Sequence, residues 1–170
     1  MNNYISNQSQ QFEGKVIIVT GSTQGSGAET AKLFAARGAK AITICGRQEN
    51  KGAEIKKEIE DLGSKCLYVK ADLSKVEDCK KIVELTDKEF GTVHSLVNVA
   101  GYTERGTILS TTLENYEKNF SVNARAPFIL IQEVVKIMIR DKNKGTIANL
   151  LSMAMYSGMP FLTAYSGSKA

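Results

Sequence analysis

Tyr165 and Lys169 stand four residues apart in the closing stretch "TAYSGSKA" of this 170-residue chain. On a helix that spacing puts both side chains on one face, about a turn apart. An ammonium beside a phenol favours the phenolate and draws its pKa down from about 10, so the two form a plausible proton-transfer couple.

A second group of residues suits a different task. In "TGSTQGSG" (20–27), Gly21, Gly25 and Gly27 lie between a β-branched apolar run and a segment of helical periodicity. Glycines at such a junction allow a tight turn and let a pyrophosphate approach the N–H groups at the helix N-terminus. A glycine triplet alone is a weak signal, because helix–strand packing also uses it. Its position after the first strand and at the opening of the first helix sharpens it.

The elements that must position these residues follow from the pattern of apolar positions. "KVIIVT" (15–20), "KAITIC" (40–45), "KCLYVKADL" (65–73), "HSLVNVAG" (94–101) and "GTIANLLS" (145–152) read as buried strands. Between them lie amphipathic segments: "GAETAKLFAARG" and "ENKGAEIKKEIEDLG", each closed by a glycine, and one running to about Phe90 with Ser74 as its N-cap. A long helical stretch follows from about 112 to 145, with Thr111 and Glu114 spaced as a capping box. Strand and helix in alternation, with solidly apolar strands, predict a doubly wound α/β domain: a parallel sheet covered on both faces. The domain is expected over 13–170, after a flexible tail at 1–12.

Composition narrows the function classes. Hydrophobic residues at 42% and charged residues at 24% are ordinary for a soluble globular protein. The net charge of +4 comes from scattered lysines, with no block that suggests a nucleic-acid or membrane partner. No apolar run approaches the ~20 residues of a membrane span, and the N-terminus has no signal-peptide pattern, which makes this a cytoplasmic-type protein. Cys45, Cys66 and Cys79 have neither disulfide nor zinc spacing and read as small buried thiols, and no metal site is expected.

Taken together, the glycine turn spaced G-x-x-x-G-x-G, "NVAG" (98–101), "SVN" (121–123), Ser152 and the Y-x-x-x-K at 165–169 resemble the classical short-chain dehydrogenase/reductase family, a Rossmann fold. The resemblance runs from about residue 13 to the last residue, and Ser152 precedes Tyr165 by the thirteen residues usual in that family. Ser26 stands where an aliphatic residue is usual, Val99 replaces the second asparagine of "NNAG", and His94 replaces a common aspartate and reads as structural.

The resemblance implies hydride transfer between a nicotinamide nucleotide and a small-molecule carbonyl or alcohol. Tyr165 would be the general acid or base, Lys169 would lower its pKa and bind the nicotinamide ribose, Ser152 would hold the carbonyl oxygen, and Asn123 would fix the lysine through a water. The nucleotide would lie on Gly21, Ser22, Thr23, Gln24, Gly25, Ser26 and Gly27, on Asp72 and Leu73, and on Asn98, Ala100 and Gly101, with Tyr165 and Lys169 at its reactive end. Members that take NAD carry an acid at the end of the second strand, whereas Gly46 and Arg47 stand there in this chain. An absent carboxylate and a present guanidinium point to NADP over NAD, although Gln24 lacks the charge many NADP-binding members carry. The apolar segment 128–139 implies a homodimer or homotetramer, as in the family.

A methyltransferase shares the glycine-rich turn but has no use for Y-x-x-x-K. The remaining alternative is a catalytically inactive truncated fragment, or a nucleotide-binding or interaction module. Family members run to roughly 250 residues, an ordinary single-domain size, so the C-terminal strands and substrate lid are expected in a longer parent.

Overall fold

A computed structural model describes residues 10–170. Five strands form one parallel sheet: β1 (Val16–Val19), β2 (Ala41–Gly46), β3 (Lys65–Lys70), β4 (Ser95–Asn98) and β5 (Thr146–Asn149), in the spatial order β3-β2-β1-β4-β5. The order reverses between β1 and β4, which opens a crevice at the strands' carboxyl ends, where doubly wound sheets bind ligands. The four residues of β1 are wholly buried, as a central strand covered on both faces must be.

The helices α1 (Gly25–Ala36), α2 (Glu49–Asp61) and α3 (Val76–Phe90) follow β1, β2 and β3. Gly27, Ala28, Ala31 and Ala35 form the buried stripe of α1, and such small side chains let its backbone approach the sheet closely. That face joins Ile17, Val19, Ile42 and Ile44 in one apolar cluster, with Ile55 and Ile59 from α2. The opposite cluster sets Ile82 and Val83 of α3 against Leu130 and Val134 across Ile18 and Leu96.

The long helix expected from 112 is broken. α4 (Leu113–Phe120) runs into a π turn at Ser121–Arg125, then α5 (Ala126–Arg140). The Ala126 N–H reaches back five residues to the Ser121 carbonyl. In an unbroken helix the Asn123 carbonyl would receive the N–H of residue 127, and Pro127 has none. α5 buries Leu130, Val134, Ile137 and Met138, while Phe128 (63%) and Ile139 (72%) face outward.

Two expected caps are corrected. Thr112, not Thr111, caps α4 by accepting from the Asn115 N–H at 3.1 Å, because the Thr111 hydroxyl already donates to the Thr107 carbonyl at 2.7 Å. Lys75 occupies the N-cap position of α3, and the Ser74 hydroxyl donates instead to Asp72 Oδ1 at 2.8 Å. Of the segment expected as a tail, residues 1–9 lie outside the described residues, and Phe12 packs edge-on against Phe34 with ring centroids 4.7 Å apart. The chain closes on α6 (Thr163–Ser168), beyond a 3-10 turn at Met153–Met155.

Candidate active site

The glycine turn is seated by close backbone contact. Gly21 has φ +63°, and a Cβ there would come within 2.8 Å of the Ala100 Cα. A Cβ on Gly27 would collide with the Gly21 carbonyl. Thr20 Oγ1 accepts from the N–H groups of Val99 and Ala100, each at 3.2 Å, and so ties the end of β1 to the loop after β4. Ser22 is fully buried; its hydroxyl donates to the Val19 carbonyl at 2.5 Å and accepts from the Cys45 N–H at 3.0 Å. It clips β1 to β2 behind the turn.

Above this seat lies a cleft of about 720 Å³. Gly21, Thr23, Gln24, Gly25, Ser26 and Gly27 line one wall. Arg47, Asp72 and Leu73 line it beside β2 and β3, and Ala100 and Gly101 beside β4. Ser22 and Asn98 are the two expected nucleotide-side residues that the fold places behind the wall. Asn98 Nδ2 donates to Asn149 Oδ1 at 2.9 Å and braces β4 against β5, while its buried Oδ1 has no partner among the described residues.

Asp72 is half-buried. Burial alone would raise its pKa, but the N–H and hydroxyl of Ser74 at Oδ1, with the charge of Arg47, hold it below the ordinary carboxylate range. At the end of β2, a Cβ on Gly46 would lie 2.6 Å from Thr23 Oγ1 and Cγ2, so a side chain there requires the Thr23 side chain to move.

The residues expected to react stand behind Gly101 and Leu150, which line the cleft; Ser152, Tyr165 and Lys169 are not themselves among its lining residues. Lys169 Nζ donates to the Leu150 carbonyl at 2.9 Å, and a Cβ on the cleft-lining Gly101 would be 3.5 Å from that nitrogen. Lys169 is 6% exposed, and this burial lowers its pKa from 10.5. Its own N–H donates to the Tyr165 carbonyl at 3.1 Å, one turn back on α6, where the Tyr165 side chain is half-buried. Ser152 stands two residues beyond Leu150, capping the 3-10 turn by accepting from the Ala154 N–H at 3.2 Å.

Asn123, in the π turn, ties this group together. Its Nδ2 donates to the Tyr102 carbonyl and to Ser168 Oγ, both at 2.8 Å, and its Oδ1 accepts the Tyr102 N–H at 2.8 Å. Ser168 Oγ in turn donates to the Tyr165 carbonyl at 2.8 Å. The amide is therefore fully committed to bracing the protein. Asn123, Tyr165 and Lys169 belong to one bonded cluster, with Ser152 on the neighbouring segment.

Several contributors carry no spacing signal in the sequence. Tyr102 lines the cleft, its hydroxyl donates to Glu104, and Lys118 Nζ lies 4.7 Å from its ring centroid. Hydrogen bonding to the Glu104 carboxylate raises the Tyr102 pKa above 10.0. Thr20 and Ser168 act through contacts between distant segments. Their adjacency to Gly21 and Lys169 was the available hint.

The three cysteines are buried thiols, and burial pushes Cys45 and Cys66 up to about 12 and Cys79 to about 11, far from the thiolate a nucleophile or metal ligand requires. No cluster of His, Cys, Asp and Glu among the described residues could hold a metal ion, and no described helix is long and apolar enough to cross a membrane.

Residues 15–170 match the protein family described as short chain dehydrogenase. An uncharacterized oxidoreductase of Thermotoga maritima is 37% identical over 159 residues, covering 94% of this chain and 62% of that protein. Galactitol 2-dehydrogenase of Agrobacterium fabrum is 32% identical over 163 residues, covering 94% and 61%. A solved structure from Sinorhizobium meliloti, described as that of a short-chain alcohol dehydrogenase, superposes with a TM-score of 0.88 at 28% identity, over 94% of this chain and 63% of that one. The chain thus spans about six-tenths of the length of these relatives.

Proposed function

The chain belongs to the short-chain dehydrogenase family, and from that premise we propose that it carries the nucleotide site and proton-transfer group of an NADP(H)-dependent oxidoreductase acting on a small carbonyl or alcohol. The carrying observation is the position of Lys169: a buried ammonium bonded to Leu150 and beside Gly101, two residues that line the glycine-walled cleft, and one helical turn from a phenol. When bound, the nicotinamide nucleotide supplies or accepts the hydride. Tyr165 Oη gives a proton to the nascent alkoxide, or takes one from an alcohol. Lys169 has two N–H donors beyond the one on Leu150, which it can offer to the nicotinamide ribose and to Tyr165. Ser152 Oγ holds the substrate oxygen. Asn123 serves by position: its side chain locks the loop after β4 to α6, and its backbone carbonyl, opposite Pro127, is what it can offer to a water beside Lys169.

The glycine turn fits a pyrophosphate because Gly25, which lines the cleft and opens α1 at φ +55°, has no atom from elsewhere among the described residues within 4 Å of its Cβ position, while Gly21 and Gly27 seat the turn against the protein. For the nucleotide type, the absence of a carboxylate at Gly46 and the guanidinium of the cleft-lining Arg47, which forms no ion pair among the described residues, support NADP over NAD. Arg47→Ala is expected to weaken NADPH binding about tenfold and NADH binding little, since a charge-assisted contact is worth about 1.5–3 kcal/mol. Equal NADPH and NADH affinities in the unmutated protein would overturn this.

The chemical roles are tested by Tyr165→Phe. Carbonyl reduction should fall by a factor of about 100 or more, while nucleotide affinity stays within about twofold. Turnover near the unmutated rate would remove Tyr165 from its role. The outward Phe128 and Ile139 of α5, with Leu113 and Tyr116 of α4, support a homo-oligomer built on this apolar face. Light scattering showing monomer alone at micromolar concentration would count against it.

A further inference from the structure

The glycine turn lacks a basic residue of its own, yet a cation reaches it from α2. Lys51 Nζ donates to Gln24 Oε1 at 2.7 Å, across 27 positions of sequence. Gln24 lines the cleft, and so does Arg47, four residues before Lys51. Among the described residues neither Lys51 nor Arg47 forms an ion pair, and Glu49, the carboxylate in the same turn of α2, is held by Lys70 at 3.0 Å. Lys51 lies in the first turn of α2, where the helix dipole disfavours a cation, so local helix energetics do not explain its charge. An anion bound between the end of β2 and the turn would offset that unfavourable placement.

We infer that Lys51, held at the cleft-lining Gln24, is a specificity-determining residue for a nucleotide bearing a 2′-phosphate, acting together with Arg47. The inference rests on the NADP(H) reading above and adds a residue to it. The neutral Gln24 amide holds the ammonium near the turn without neutralising it, so the charge remains available to a phosphate. Arg47 contributes a planar fork and Lys51 a point charge, the two ways a phosphate is commonly gripped.

The test is a calorimetric titration of the protein with adenosine 2′,5′-bisphosphate and with adenosine 5′-monophosphate, at low salt and again at 0.3 M. These probes need no turnover. The unmutated protein should prefer the bisphosphate, Lys51→Ala should weaken the bisphosphate by about five- to tenfold and the monophosphate by less than twofold, and Lys51→Arg should keep most of the preference. The Lys51→Ala effect should shrink at the higher salt, as a screened contact requires. If the unmutated protein prefers the bisphosphate and Lys51→Ala leaves that preference intact, or weakens both probes alike, the role of Lys51 is refuted while the NADP(H) reading survives. If the unmutated protein shows no preference, both fall together.

Discussion

The nucleotide side of the cleft and its reacting side are held by different means. On the nucleotide side, β1 and most of β2 are fully buried, and the polar groups behind the turn are paired: Thr20 with two N–H groups of the loop after β4, Ser22 with β1 and β2. On the reacting side, all four residues of β5 are exposed, and Leu150 (53%), Leu151 (56%) and Met153 (76%) stand in solvent beside the segment that carries Ser152. Lys169, Asn123 and Ser168 are themselves buried there, yet Lys169 is anchored on the carbonyl of the exposed Leu150, and Asn123 and Ser168 are joined by single hydrogen bonds. Close packing over-determines the binding geometry, whereas the reacting geometry depends on individual polar contacts. Substitutions on the two sides should therefore differ in kind.

The largest effect is expected on the packed side. Ile44, wholly buried in β2, loses its apolar contacts in Ile44→Ala, which should cost about 2–5 kcal/mol of unfolding free energy. A chemical denaturation midpoint that falls at constant slope would show it. Next comes Gly27→Ala. Its Cβ meets the Gly21 carbonyl, a backbone atom that cannot turn aside, so the turn itself must shift, at about 1–3 kcal/mol. Nucleotide binding should weaken with it. Full-strength binding in that variant would show the seat to be softer than its contacts indicate.

This contrast also bears on what the sequence could reveal. A parallel strand covered on both faces leaves an unbroken apolar run, and the glycine turn falls where one such run meets a helical period, so sheet, helices and cleft were legible from order alone. The π turn was not, because apolar periodicity continues through residues 112–141; the one signal against an unbroken helix was Pro127. The cap of α4 was misassigned because only Thr111 has a glutamate at the capping-box spacing, and the bond that commits its hydroxyl to Thr107 is visible only in the fold. Tyr102, Ser168 and Lys51 act through pairings 21, 45 and 27 residues apart, separations to which no local pattern is sensitive. The residues proposed to react were chosen by type and spacing, and those that hold them in place required the fold.

A smaller effect should follow acidity. His94 Nδ1 accepts the Val16 N–H at 3.1 Å, joining the entry of β4 to β1, and a protonated ring cannot accept it. Burial, then the charges of Lys15 and Lys40 against a weaker pull from Asp141, lowers its pKa from 6.5. The folded state thus favours the neutral ring, and the stability from this group is fully present above about pH 6.5 and is lost as pH falls through the lower folded value. The loss should be about 1 kcal/mol, the worth of one hydrogen bond. His94→Asn keeps an acceptor without a titrating ring, so the difference in melting temperature between pH 7.5 and pH 5 should narrow in that variant. An unchanged difference would place the acid sensitivity elsewhere.

The smallest effect, and the sharpest check on the contrast, is Leu151→Ser. A leucine on the packed side would leave a cavity when removed, but Leu151 is already more than half in solvent and has little burial to lose. Its replacement should change unfolding free energy by no more than about 0.5 kcal/mol, the ordinary range for surface positions. The same exposure has a second consequence. Within these 170 residues Ile147, Leu150, Leu151 and Met153 lie on or just past the outermost strand, and exposed apolar groups on such a strand pair readily with further strands. Removing one large apolar group from it should lower light scattering at high protein concentration even though stability is unchanged. A destabilisation of 2 kcal/mol or more would mean that Leu151 is packed in solution, and that the reacting side is held by bulk just as the nucleotide side is.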